Sequence, residues 1–356
     1  MADPTRITIK QLARQAGVSV ASVSRALNGQ AGVGAQTRER ISAMARQLGY
    51  AADSRARALV TGEVPFIGLV VPDITNPFYP EVARGAEQEL LASGRSLLLV
   101  STGWESGRLE QALDLLLSRH VAGLLVAVPP NGLLARAGLD WDALAPRVVV
   151  VGQEVPRGWK QRLCAMDVDD RHGGELVGQH LAGLGWSRLA IIAGPEPDRT
   201  AQARIAGFRW ALEQTAQPAA LTAVRHGEWS VRSGHRLALE LLHGRPSPDA
   251  IFAANDLIAL GAAQAARETG RNLGQDLGLV GYDDIEPMRY LQVPITSVAQ
   301  PKLELGRRAA RLLLEALARG GVSRPAPLKP KLVVRDSCGA AARTGQAEQT
   351  TNGGVS

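Results

Sequence analysis

From residue 65 onward, short apolar runs alternate with segments of helical period. Phe66–Val71, Ser96–Ser101, Gly123–Val128 and Val148–Val151 read as strands, with helices predicted near 77–93 and 106–119. A second series follows, with strands at Leu163–Val168, Leu189–Gly194, 221–226, Ala250–Ala254, Leu277–Tyr282 and Ile295–Ala299. Helices at 170–184, about 200–216, 231–243 and 255–269 separate its members. Strands that are apolar throughout, rather than at every second position, are buried on both faces. That requires parallel sheets covered by helices. Two successive series predict two doubly wound subdomains of similar build, with ligand space at the carboxyl ends of the strands.

The N-terminal pattern is different. Ile9, Leu12, Ala13 and Ala16 recur at helical spacing, and Gly17 breaks the helix. Ser19 can cap a second helix by accepting a hydrogen bond from an N–H two or three residues on. Val20, Val23 and Leu27 form its apolar stripe, and Ala21, Ser22, Ser24, Arg25 and Asn28 form a small or polar outer face. A third helix at about 35–48 places Ile41, Met44, Ala45 and Leu48 on one side. A helix with so little bulk on its outer face fits a groove, which is helix-turn-helix geometry. An ordinary helical hairpin capping a domain has the same spacing.

Charge separates those two readings. Residues 1–62 carry nine basic and three acidic side chains, so this segment holds the +6 of the whole chain. The other 294 residues balance at 31 basic and 31 acidic groups. Positive charge confined to the segment with the groove-sized helix is what phosphate binding needs. Residues Asp53–Gly62 are too few for a stable isolated helix, and a hinge that becomes helical only with a partner is expected. Residues 337–356, rich in Gly, Ala, Thr, Gln and Ser, are expected to be a disordered tail. They contain no leucine heptad to drive tetramer formation.

Several functions are excluded or left without support. No apolar run approaches the ~20 residues of a membrane span, and the first residues lack the apolar stretch of a signal peptide. A cytoplasmic protein without membrane contact is expected. Cys164 and Cys338 have no metal-ligand spacing and read as free thiols. No nucleophile elbow or P-loop occurs, so no enzyme, cofactor or metal is expected. Asp169-Asp170-Arg171-His172 could suggest acid–base or metal chemistry, but its place at a strand-to-helix junction favours capping.

Taken in order, the motifs resemble those of the LacI/GalR family of transcription regulators over about residues 8–336. Val18-Ser19, Val23-Ser24-Arg25 and Leu27-Asn28 resemble its helix-turn-helix, Thr37-Arg38 and Leu48-Gly49-Tyr50 its third helix, and Ala56-Arg57-Ala58-Leu59 its hinge. Asp73–Tyr79, Arg204–Phe208, Ala254-Asn255-Asp256, Gly281–Asp284 and Gln300-Pro301 resemble its effector domain. The resemblance implies an all-α helix-turn-helix head plus an α/β body. The body would be two doubly wound parallel-sheet subdomains of periplasmic-binding-protein type. Expected boundaries are 1–50 for the head, 51–62 for the hinge and 63–336 for the effector-binding and dimerisation domain. Its N-subdomain would take about 63–162 and 292–322, and its C-subdomain about 163–291 and 323–336.

The resemblance also implies roles. Val20, Ala21 and Arg25 match the family's base-reading positions. The first two can offer apolar contact to a thymine methyl, and Arg25 a bidentate contact to guanine. Ser19, Ser22, Ser24 and Asn28 are expected at phosphates, which position without specifying. Ala56 and Leu59 match the minor-groove hinge, where an apolar wedge kinks DNA. The other reading of Leu59 is interdomain packing. Asn76, Phe78, Tyr79, Arg204, Trp229, Asn255, Asp283 and Gln300 follow strand ends and are expected to bind the effector. Aromatic faces, amides and charged groups together suit a sugar. Asn255 and Asp283 could instead be capping or turn residues, and Phe78 and Tyr79 packing residues. Pro129-Pro130 stands where a ribose binder would place charged contacts. The expected function is a homodimeric repressor on double-stranded operator DNA, controlled by a small molecule, with a sugar-binding transport or receptor protein as the alternative.

Overall fold

Helix α1 (Ile9–Ala16) begins at a capping box. Gln11 N donates to Thr8 Oγ1 at 3.3 Å, and Thr8 N donates to Gln11 Oε1 at 2.7 Å. Gly17 ends the helix in the left-handed region, at φ 64°. Ser19 Oγ then accepts from Ser22 N at 3.0 Å and opens α2 (Val20–Leu27). Helix α3 (Ala35–Gln47) starts after Gly34 without a side-chain cap, and Arg40 Nη2 donates to the Ala16 carbonyl at 3.1 Å. Leu12, Ala13, Ala16, Val23, Ala26, Ile41 and Ala45 form the core of the three helices. The inward stripe of α2 differs from expectation. Val23 and Ala26 are buried and Leu27 half-buried, whereas Val20, at the helix start and outside that core, is 41% exposed.

The structure, a computed structural model, describes residues 7–27, 31–48, 50, 65–128, 140–153, 155 and 157–340. It divides into two units, Met1–Pro65 and Phe66–Ser356. The second unit holds both sheets. The first is built from β1 (Phe66–Val71), α4 (Phe78–Ala92), β2 (Ser96–Ser101), α5 (Ser106–Ser118), β3 (Gly123–Val126), α6 (Trp141–Leu144), β4 (Val148–Val151) and β5 (Cys164–Met166). Its order is β2-β1-β3-β4-β5, all parallel. The second uses α7 (Asp170–Gly183), β6 (Arg188–Ala193), α8 (Arg199–Glu213), β7 (Ala220–His226) and α9 (Val231–His243). It continues with β8 (Ala250–Ala253), α10 (Asp256–Glu268), β9 (Gly278–Asp283) and β10 (Thr296–Ala299). After β10, α11 (Lys302–Arg319) returns to the first sheet, where Leu305, Ala309 and Leu313 share a core with Ile67, Leu69 and Val82. The chain then comes back as β11 (Lys331–Val333), giving the order β11-β10-β9-β8-β6-β7.

Three expectations need correction. Strand β5 pairs with β4, so the first crossing follows Met166 rather than residue 162. Strand β10 pairs with β9, so the return crossing follows Ala299 rather than residue 291. An apolar run shows that a strand is buried, not which neighbour it bonds. Strand β11 was not foreseen, and it runs antiparallel to β10, so the second sheet is not wholly parallel. Only three residues long and partly exposed, it has no readable pattern. The crossing segments lie side by side, for Val168 bridges Leu328 and Asp169 N donates to the Leu328 carbonyl at 2.9 Å.

The start of the expected tail is also ordered. Ser337 and Cys338 are buried, Ser337 Oγ donates to the Leu279 carbonyl at 2.6 Å, and Trp186 Nε1 donates to the Cys338 carbonyl at 2.9 Å. Composition suggested disorder, but these two small side chains fill the edge of the second core. Residues 341–356 and the expected hinge at 51–62 lie outside the described residues. Helices α7 and α8 touch at Gly174 and Gly207. A Cβ at either would collide with a backbone carbonyl of the other helix.

Candidate functional site

The strands of both sheets end at one cleft, as expected for paired α/β layers. It encloses about 450 Å³ including its open mouth. The first sheet contributes Asn76, Phe78 and Tyr79 after β1, Trp104 after β2, and Gly152 and Gln153 after β4. The second contributes Asp198, Thr200 and Arg204 after β6, Trp229 after β7, Asn255 after β8 and Asp283 at the end of β9. Gln300, after β10, closes the side where the chain crosses. All eight residues expected from sequence at an effector site line this one cleft.

Arg204 is the buried cation of the cleft, only 5% exposed. Its Nε donates to Asp170 Oδ1 at 2.8 Å and its Nη1 to the Ala254 carbonyl at 2.5 Å. The guanidinium lies 3.6 Å from the Tyr282 ring centre and 5.7 Å from that of Trp229. Burial opposes its charge, but Asp170 beside it prevails and holds the guanidinium above its ordinary range. Burial also raises the Asp170 carboxyl, against the pull of Arg204 and of the Tyr282 hydroxyl, which donates to Asp170 Oδ1 at 2.9 Å. Sequence reasoning missed Asp170 as a partner of Arg204, because 34 residues separate them. Its neighbour Asp169 is the α7 cap, accepting from His172 N at 3.0 Å.

Asp283 sits on a strained turn. It and Asp284 have φ of 107° and 50°, values unusual for side chains other than glycine. Four groups hold the turn. Lys302 Nζ donates to the carbonyls of Asp283 and Asp284 at 2.6 and 2.9 Å. Arg335 Nη2 pairs with Asp284 Oδ1 at 2.6 Å, Asp284 N donates to Ser297 Oγ at 3.0 Å, and Ile285 N donates to Asp256 Oδ2 at 2.8 Å. Asp256 is wholly buried, and burial together with nearby Asp283 drives its carboxyl far above the usual range. Burial pushes Asp283 up to about 6, although Arg204, a hydrogen bond from Gln300 and Lys302 oppose the rise.

The amides are oriented by their bonds. Asn76 Oδ1 accepts from Phe78 N at 3.0 Å and Asn255 Oδ1 caps α10 by accepting from Ile258 N at 2.8 Å, which leaves each NH₂ to donate elsewhere. Asn255 is therefore both a cap and a lining residue. Gln300 Nε2 donates to Asp283 Oδ1 at 2.7 Å, which leaves Oε1 to accept. Burial holds the Tyr79 phenol well above its usual range, and its ring meets Phe78 edge-on at 5.1 Å. Trp104, Gly152, Gln153 and Asp198 were not foreseen. They lie in loops whose ends only the sheet order brings together.

On the head, Val20, Ala21 and Arg25 are exposed on α2, Ser19 is exposed at its cap, and Ser22 and Ser24 are half-exposed. Asn28, Ala56 and Leu59 lie outside the described residues.

Comparison with known proteins agrees with this two-part build. Residues 8–53 match the bacterial regulatory proteins of the lacI family, and residues 179–338 match the periplasmic binding protein-like domain. A ribose operon repressor of Haemophilus influenzae is 33% identical over 339 residues, which is 93% of this chain and 98% of that protein. A lac repressor dimer bound to operator and the anti-inducer ONPF superposes with a TM-score of 0.79 at 26% identity, over 94% of this chain and 99% of that one. A complex of the transcriptional regulator CelR with cellobiose superposes with a TM-score of 0.68 at 30% identity, over 93% of this chain and 100% of that one. With a basic three-helix head, two doubly wound sheets around one cleft, and relatives matched over nearly their whole length, this chain belongs to the lacI family of DNA-binding transcriptional regulators.

Proposed function

We propose that the protein represses transcription as a homodimer on a specific DNA site, and that a sugar-like molecule in the cleft sets its affinity for that site. The observation that carries this reading is the convergence of eight side chains, from strand ends of both sheets and the helices that follow them, on one cleft. A ligand that touches both walls favours one orientation of the two sheets, which are joined by adjacent crossing segments at Val168 and Leu328. In a dimer, that orientation sets the spacing of the two hinge segments and so their ability to fold together on DNA. The names of the relatives support a carbohydrate, since a ribose operon repressor and a cellobiose complex are among them.

In this reading α2 enters the major groove. Val20 and Ala21 meet thymine methyls, Arg25 reads guanine, and Ser19, Ser22, Ser24 and Asn28 hold phosphates. Ala56 and Leu59 act in the minor groove between two half-sites about one helical turn apart. Asn76, Phe78, Tyr79, Arg204, Trp229, Asn255, Asp283 and Gln300 hold the effector. The protein acts in the cytoplasm, beside the DNA it regulates. Among the described residues, no helix is long and apolar enough to cross a membrane. The test is a fluorescence-anisotropy titration on a DNA site selected from a random pool, over a salt series and with sugars that raise the melting temperature. Affinity should fall linearly with salt on a log–log plot and change at least about tenfold with the stabilising sugar. A sugar that stabilises the protein yet leaves DNA affinity unchanged would overturn the switch.

A further inference from the structure

The two walls of the cleft differ in charge. Among the described residues, nothing that lines the first-sheet wall is ionised. Its six described lining residues are two amides, a glycine and three aromatics, and burial keeps the Tyr79 phenol protonated. The charged residues described in the lining, Arg204, Asp198 and Asp283, are on the opposite wall. Arg204 is already bound to Asp170 at 2.8 Å. Behind the lining, Lys302 is engaged by the carbonyls of the Asp283 turn and Arg335 by Asp284. Arg199 is exposed and does not line the cleft. Three cations therefore stand against the carboxylates of Asp170, Asp198, Asp283 and Asp284, and among the described residues no cation of the cleft is left over to meet an anion.

The hydrogen-bonding capacity points the same way. Arg204 and the NH₂ groups of Asn76 and Asn255 offer donors, because the Asn76 oxygen is spent on Phe78 N, the Asn255 oxygen on the α10 cap and the Arg204 Nε on Asp170. Asp283 and the Gln300 oxygen offer acceptors. Interleaved donors and acceptors suit hydroxyls, which do both. The oxygens of a phosphate or carboxylate only accept, and here they would face Asp198 and Asp283.

Trp104 supplies the third observation. It holds φ 63° directly after Gly103 at φ 64°, and is 43% exposed at the mouth of the cleft. A bulky side chain in left-handed backbone is costly, and such outliers gather at ligand clamps. The turn places an indole in the same lining as Phe78 and Tyr79, on the uncharged wall.

We propose that the cleft takes an uncharged ring polyol, its C–H face on an aromatic wall completed by Trp104 and its hydroxyls on the charged wall, and that phosphorylated or carboxylated versions of the same ring are refused. This rests on the cleft being the effector site. Trp104 is thereby a specificity-determining residue, one that touches ligand only at the mouth.

The experiment is titration calorimetry on the full chain with D-ribose, D-glucose and cellobiose, each hexose or pentose paired with its phosphate (ribose 5-phosphate, glucose 6-phosphate) and with D-glucuronate. At least one neutral sugar should bind. Its anionic counterpart should bind about a thousandfold more weakly, the size of one like-charge contact at about 4 Å and an effective dielectric constant of about 20. Trp104→Gly, which suits the left-handed backbone, should weaken the neutral sugar about tenfold and leave the melting temperature of the free protein unchanged or higher. Asp283→Asn should weaken it as well. An anionic sugar that binds more tightly than its neutral partner, or no binding by any neutral sugar, overturns the ligand class. Lost affinity in Asp283→Asn with none lost in Trp104→Gly overturns the role of Trp104 alone. A sugar whose affinity neither variant alters is bound elsewhere, and the cleft reading itself falls.

Discussion

Replacing Asp283 by Asn should make the protein more stable at neutral pH, and the gain should vanish in acid. The side chain is 5% exposed, and its burial lifts the carboxyl from 3.8 to about 6. Such a rise corresponds to about 3 kcal/mol between the two protonation states. Below about pH 4 the carboxyl is protonated in both the folded and the unfolded chain, and this contribution to stability is fully present. As the pH rises toward 6, the unfolded chain gives up its proton first while the folded one retains it, so stability falls. Above pH 6 the full ~3 kcal/mol is lost in the parent and not in the variant. Asn tolerates the left-handed turn at φ 107°, and its Oδ1 can still accept from Gln300. The substitution therefore changes charge and little else. Urea denaturation from about pH 3.5 to 8 is the assay. Asp283→Asn should exceed the parent by about 1–3 kcal/mol at pH 7.5, with the gap closing by about pH 3.5. A gap independent of pH, or a variant weaker throughout, would refute the reasoning.

Asp170→Asn should leave Arg204 buried without its ionised partner, at a cost of about 3 kcal/mol in denaturation and a loss of sugar affinity, although Asp170 does not line the cleft. Gly207→Ala should lower stability by at least about 2 kcal/mol, because its Cβ meets the Arg171 carbonyl; Gly183→Ala on α7, with open space around it, should raise stability by about 0.5–1 kcal/mol in the same thermal melts. Arg25→Ala should relax base preference by about 1–3 kcal/mol at one position of the DNA site, read by selection from random DNA. Leu59→Ala should weaken specific binding more than non-specific binding in a salt-series titration, and equal losses in both would remove the minor-groove role.

The local elements were legible because their signals are local. The strands Phe66–Val71, Ser96–Ser101 and Val148–Val151 coincide with their apolar runs, and helix Val231–His243 has the limits its period predicts. Ser19 caps α2 because a hydroxyl three residues from an orphan N–H needs no tertiary partner. The lining residues Asn76, Phe78, Arg204, Asn255 and Asp283 could be picked out because each follows a strand end, Arg204 on the helix after it, and lies within a motif. Other features depended on partners distant in sequence. The assignment of β5 and β10 to their sheets is a matter of which backbone each strand bonds, and hydrophobic pattern is the same in either sheet. The pairing of Asp170 with Arg204, the Lys302 and Arg335 clamp on the Asp283 turn, and the place of Trp104 at the cleft mouth all arise from chain crossings. Burial then decided the chemistry. Water would leave Asp283 an ordinary carboxylate, and only enclosure between two sheets raises its carboxyl to about 6 and leaves one wall of the cleft aromatic and the other charged.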